Sequence, residues 1–209
     1  VTRKGPPKLY LLTNGQALSD EILALCARLG VTVSISLPGL TTYKEHTRRE
    51  DADTVLHWFE VARDMGVETV VGVTVTRLNL FELYEITSAA FLAGAGTLLM
   101  NRFLPGGRGL LYADRLTLSA EQVVEMLDTA EVVLTRAGRF GSVGTELPRC
   151  LIDPARYEHL SVGTRCSAVT DFFVVGPSGY VRVCNHSPVR LDHFTEIRRL
   201  QTNKYWMQY

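Results

Sequence analysis

Cysteine is scarce in this 209-residue chain, which has four. They are too scattered for the disulfide framework of a small secreted domain, so a reducing, cytoplasmic setting is expected. Net charge is absent as well, 22 basic residues balancing 22 acidic ones. Without a basic excess there is no electrostatic reason to hold bulk nucleic acid or an anionic membrane surface. The longest apolar run, residues 89–100, is broken by glycine and threonine and is too short to span a bilayer. No signal peptide opens the sequence, and no internal repeat or low-complexity segment interrupts it. What is present is 46% hydrophobic residues, enough for one globular core with a small appendage.

Strand-like and helix-like stretches alternate from the start. Short apolar runs at residues 8–13, 31–37, 67–76 and 97–103 read as strands, the third rich in valine and threonine. Helices are expected between them. Ser19 caps the first, with Asp20 and Glu21 in its first turn, Ile22, Cys26 and Leu29 at helical spacing, and Gly30 as its stop. The second runs from Asp53 to Met65 and buries Val55, Phe59 and Ala62, with His57 as a surface or packing residue. Asn79 is placed to cap a third, Leu80 to Ala93, and Ser119 with Gln122 forms a capping box for a long fourth ending at Gly138. Residues 38–50 read as a loop, and Pro105-Gly106-Gly107-Arg108-Gly109 as a turn after the fourth strand, able to cradle an anion or to lead the chain away. Alternation of this kind predicts an α/β fold with a parallel sheet, whose chemistry gathers at the carboxyl ends of the strands.

From about Gly141 the pattern changes to loops, so residues 1–140 are expected to form the α/β part and 141–209 a small second domain. The second part carries Cys150, Cys166 and Cys184. A hairpin is expected between the last two, Phe172 to Val175 pairing with Tyr180 to Val183 around Gly176-Pro177-Ser178-Gly179. It would return Cys184 toward Cys166, as a metal or cluster site requires. Three buried apolar thiols, or one disulfide and a free thiol, fit the spacing equally well. Cys26, inside the first helix pattern, reads as core.

Taken in order, LLTNGQAL (11–18), VSISLPGL (33–40), HTRRE (46–50), TVTRLN (74–79), FLPGGRG (103–109) and CSAVTDFFVVGPSGYVRVC (166–184) resemble radical S-adenosylmethionine enzymes with a SPASM or Twitch extension. The resemblance implies a partial (β/α)6 TIM-like barrel, truncated at its N-terminus, followed by a hairpin-containing, cysteine-bearing domain. It implies two kinds of 4Fe-4S cluster. One, held by a CxxxCxxC loop that this sequence lacks, works with S-adenosylmethionine to generate a 5′-deoxyadenosyl radical that abstracts hydrogen. The other is an auxiliary cluster held by Cys150, Cys166 and Cys184, with His186 as a further candidate beside it. The implied cofactor contacts are Ser36 to the ribose or methionine part, Arg48 to the carboxylate, and Thr74 and Asn79 at the end of the third strand. Pro38 stands where the family has aspartate.

The activity implied is maturation of a peptide or protein, with haem or cofactor biosynthesis, a non-catalytic peptide-binding relative, or an ordinary α/β barrel enzyme with a zinc-held appendage as alternatives. A peptide or small-molecule substrate and an electron donor such as a flavodoxin or ferredoxin are the expected partners. The 209 residues alone are expected to be inactive, because the radical-generating cluster would be held elsewhere.

Overall fold

The structure, a computed structural model, describes residues 7–49 and 52–208. The chain divides into two compact units, with the break between Thr164 and Arg165.

The first unit is built on six strands: β1 (Leu9–Thr13), β2 (Val31–Ser36), β3 (Thr69–Val75), β4 (Thr97–Arg102), β5 (Gly141–Val143) and β6 (Leu160–Val162). They pair in sequence order, β1-β2-β3-β4-β5-β6, and every pairing is parallel. When each strand pairs with the next, right-handed crossovers place all the helices on one face and leave the other open. That is the arrangement of a partial (β/α) barrel rather than of an open sheet wound on both sides.

Side-chain alternation along the strands agrees. Val33 and Ile35 of β2, Val71, Val73 and Val75 of β3, and Leu98 and Met100 of β4 are buried in one core with helix residues. The helix side of that core comes from α1 (Asp20–Leu29), α3 (Asp53–Asp64), α4 (Leu83–Ala93) and α6 (Ala120–Ala137), through Leu23, Val55, Phe59, Ile86, Met126 and Leu127 among others. Two short helices complete the helix numbering, α2 (Tyr43–Thr47) and α5 (Ala113–Leu116). Burial of each large aliphatic or aromatic side chain contributes roughly 1.5–3 kcal/mol. On α1 the buried pair is Leu23 and Cys26, while Leu29, expected on the inner stripe, is 60% exposed. The helix ends directly after it at Gly30, whose φ of 62° suits a residue without Cβ.

The other ends follow the local chemistry. Ser19 accepts from the Ile22 N–H, and Ser119 and Gln122 close the expected capping box, with Gly138 ending α6 at φ 61°. Asn79 differs. No side-chain hydrogen bond caps the helix it precedes; a short 3-10 turn, Leu80–Glu82, leads into α4, and the amide turns back toward β3. Residues 38–49 are not all loop, since α2 forms within them; Glu50 of the HTRRE phrase lies outside the described residues.

Gly141, where the sequence pattern changes, is the first residue of β5, and β5 and β6 carry the same sheet onward. The unit that follows begins at Arg165. It contains the expected hairpin in shortened form, β7 (Val174–Val175) antiparallel to β8 (Val181–Arg182). The Gly179 N–H closes the turn on the Gly176 carbonyl at 2.9 Å, and Gly179 takes φ 79°, so a type I turn is completed by a left-handed residue. Val181, Val183, Leu191 and Leu200 make this unit's own small core.

Candidate functional site at the strand ends

Ser36 is the last residue of β2, and Thr74 lies one residue before the end of β3. Ser36 pairs with Gly72, so Ser36 and Thr74 share the face of the sheet opposite the buried valines. Both are exposed. Thr74 pairs in turn with Asn101 of β4, which extends the polar row to a third strand. A Cβ at Gly144 would stand 2.5 Å from Asn101 Oδ1, so the glycine after β5 makes room for that amide. Next to it, the backbone N–H of Arg102 donates to Thr145 Oγ1 at 3.3 Å, while its buried Nε has no hydrogen-bond partner among the described residues.

Arg48 follows α2, with φ 62°, and its N–H donates to the Lys44 carbonyl at 2.8 Å. Its side chain is exposed and, among the described residues, has no ion-pair partner. An exposed guanidinium of this kind offers two parallel donors to a carboxylate.

Asn79 is fully buried. Its Oδ1 accepts from the Thr76 N–H at 2.7 Å and from Thr76 Oγ1 at 3.2 Å. Its Nδ2 donates to the Pro38 carbonyl at 2.6 Å and to the Thr74 carbonyl at 3.0 Å. An amide side chain has two donors and two acceptor sites, and all four are used within the chain. Asn79 therefore ties the end of β3 to the segment after β2. His46 spans the same gap, one ring nitrogen 2.9 Å from the Thr42 carbonyl and the other 3.2 Å from Thr76 Oγ1.

Glu82, also buried, makes the tightest of these ties. Its carboxylate accepts from the N–H groups of Leu40 (3.2 Å), Thr41 (2.9 Å) and Thr42 (3.2 Å), from the Thr41 hydroxyl at 2.7 Å, and from the Thr42 hydroxyl. A Cβ at Gly39 would come within 2.9 Å of Glu82 Oε1, which accounts for the glycine. Burial pushes this carboxyl up, but the hydrogen bonds from Thr42 and Thr41 outweigh it and hold the group below the usual carboxylate range.

Beyond β4, residues 107–112 form a 3-10 turn that runs directly into α5. Arg77 anchors the stretch after it, donating through its guanidinium to the carbonyls of Asp114 (3.0 Å) and Thr117 (2.8 Å).

The cysteines are all free thiols. Cys26 is buried, as its place on α1 dictates. Cys150 is exposed and belongs to the first unit; Cys166, exposed, and Cys184, half-buried, belong to the second. Among the described residues no three His, Cys, Asp or Glu side chains gather into a group that could hold a metal ion.

The sequence places Ser36, Thr74 to Asn79 and Asn101 to Gly109 at strand ends and Arg48 in the segment after β2; Glu82 is the residue of this site that no sequence pattern singled out. Glycine is the signal that was there to be read. Gly39 and Gly144 each sit where a larger residue would strike a polar side chain.

No family model and no curated protein matches this chain. Solved structures do. "Native anSMEcpe with bound AdoMet and Cp18Cys peptide" matches 97% of this chain with a TM-score of 0.71 at 16% identity. The same protein described as "Native anSMEcpe with bound AdoMet" matches 97% at TM-score 0.70 and 16% identity. Its complex with the Kp18Cys peptide matches 90% at TM-score 0.64 and 14% identity. The chain spans 55–59% of the length of those structures. At such identities the likeness is one of fold, and it makes this chain an α/β protein whose parallel sheet is arranged as in the AdoMet-bound anSMEcpe structures.

Proposed function

We propose that this chain is part of a radical S-adenosylmethionine enzyme acting on a peptide. The observation that carries the reading is that Ser36 and Thr74 share one face of the sheet, through the pairing of Ser36 with Gly72. These two residues, singled out by the sequence resemblance, stand exposed on one face at the carboxyl ends of adjacent parallel strands. The AdoMet and peptide bound to structures of the same fold support the choice of cofactor and substrate class.

The residues present fit S-adenosylmethionine. The Ser36 and Thr74 hydroxyls offer hydrogen bonds to ribose or amino-acid groups, and Arg48 offers its guanidinium fork to the carboxylate. Asn79, with no hydrogen-bonding capacity left, contributes by holding Pro38 and Thr74 in place. When bound beside a reduced cluster, the cofactor supplies hydrogen abstraction; the chain's part is to orient it and exclude water. Cys150, Cys166 and Cys184 are proposed as auxiliary-cluster ligands of the complete protein. A flavodoxin or ferredoxin as electron donor and a cytoplasmic location complete the proposal. No helix among the described residues is long and apolar enough to cross a membrane.

Titration calorimetry under anaerobic conditions tests the site. Arg48→Ala should weaken S-adenosylmethionine binding by roughly 1.5–3 kcal/mol, the range for a charged hydrogen bond. Arg48→Lys should recover part of it, because the fork geometry is lost. Wild-type affinity in Arg48→Ala would remove the role assigned to it.

A further inference from the structure

We propose that Glu82 is the positioning residue of the strand-end site: its buried carboxylate fixes the segment between Ser36 and Arg48, and so sets where those two side chains stand. The inference rests on the reading of the strand ends as an S-adenosylmethionine site. Residues 37–47 are the only covalent link between Ser36 and Arg48, and Glu82 holds that link at three consecutive residues, Leu40, Thr41 and Thr42. Every group facing the carboxylate in this cage is a donor, two hydroxyls and three N–H groups. A glutamine would therefore turn its own NH2 toward donors and lose at least half the cage. Glu82 sits between Asn79 and α4, so the loop after β2 is locked to the start of the helix after β3. Asn79 holds the same segment at Pro38. Ser36 and Arg48 flank one segment, and that segment is fixed from the neighbouring connection between β3 and α4.

The test compares the complete protein, reconstituted anaerobically with iron and sulfide, with its Glu82→Gln, Thr41→Val and Thr41→Ser variants. Thr41 is exposed, so its variants keep the fold even where Glu82→Gln fails to fold. Two quantities are read well below the melting temperature. One is amide hydrogen exchange at Leu40, Thr41 and Thr42, and the other is the dissociation constant for S-adenosylmethionine by calorimetry.

The expected result is faster exchange together with affinity about tenfold or more weaker in Glu82→Gln, a smaller loss of the same kind in Thr41→Val, and recovery in Thr41→Ser. A residue that served stability alone would speed exchange or lower the melting temperature and leave affinity unchanged. Wild-type affinity in both Glu82→Gln and Thr41→Val would overturn the inference and leave the site reading intact. If Glu82→Gln is unfolded, wild-type affinity in Thr41→Val alone overturns it. Absence of binding by the wild type would instead remove the site reading, and this inference with it.

Discussion

Glu82 and Thr41 are joined twice. The carboxylate accepts from the Thr41 N–H at 2.9 Å and from its hydroxyl at 2.7 Å. A buried carboxylate with this many donors is stabilised as the anion, which is why its pKa is lowered in spite of burial.

This fixes an acid dependence. The unfolded-state group titrates near its ordinary value of 4.5, and the folded one lower. A lowered carboxyl gives stability that is present above the unfolded value and lost as pH falls through the folded one. At neutral pH, Glu82→Gln should cost about 2–3 kcal/mol, because buried donors lose their acceptor. The gap between wild type and variant should narrow as the solution is made more acidic. Urea unfolding of both proteins from neutral pH into the acid range measures it. A gap independent of pH would contradict the role of the charge.

Glu131 shifts in the same direction. Burial raises it, but hydrogen bonds from His159, Glu158 and Leu160 prevail. The comparison must therefore be of wild type against the Glu82 variant, so that the Glu131 contribution cancels.

At the alkaline end Tyr157 is the group to watch. Burial, its hydrogen bond to Asp128 at 3.0 Å, and the charge of Asp128 push its phenol up to about 12. A raised value means stability present below the unfolded value near 10 and lost as pH rises through about 12. Absorbance titration should show one tyrosine ionising late, and Asp128→Asn should bring it earlier. A titration curve unchanged by Asp128→Asn would contradict the assignment.

Four of the six strands could be read from the sequence because each is a run rich in apolar or β-branched residues. β5 and β6 could not. Gly141-Ser142-Val143 and Leu160-Ser161-Val162 are too short to show alternation, and only distant pairings, Leu98 to Gly141 and Gly141 to Leu160, make them strands. The caps Ser19, Ser119 and Gln122 were legible because capping is local. Asn79 has the chemistry of a cap, but Pro38 and Thr74 compete for its amide, and Pro38 is far away in the sequence. Glu82 looked like any acidic residue at the start of a helix; its burial depends on a loop that precedes it by two secondary-structure elements and a strand. The strand-end location of Ser36 and Thr74 was legible because strand parity and end position are properties of the run itself.

For the cysteines the expected outcome is compositional. In the complete protein, replacing Cys150, Cys166 or Cys184 by alanine should each lower bound iron and sulfide by about one cluster. Cys26→Ala, in the buried face of α1, should leave both unchanged. Iron and sulfide assays on anaerobically purified protein decide it, and unaltered content in all three single variants would end the proposal. A colourless protein that contains zinc would point to the zinc-held appendage instead.

The open edge of the first unit carries a prediction of its own. Leu9, Tyr10 and Leu12 of β1 are 50%, 55% and 71% exposed, and β1 has no outer neighbour among the described residues. An apolar strand edge pairs readily with another chain. The 209 residues alone should self-associate with rising concentration, and Leu12→Lys should suppress it. Sedimentation velocity over a concentration series is the measurement, and a concentration-independent monomer would refute the expectation.

The central claim is tested most directly by measuring 5′-deoxyadenosine. The complete protein would be reconstituted anaerobically with iron and sulfide, then given dithionite and S-adenosylmethionine, with the product quantified by chromatography. The account predicts release by the complete protein, and its loss or strong reduction in Arg48→Ala. No release by a complete protein that has bound both iron and S-adenosylmethionine would contradict it.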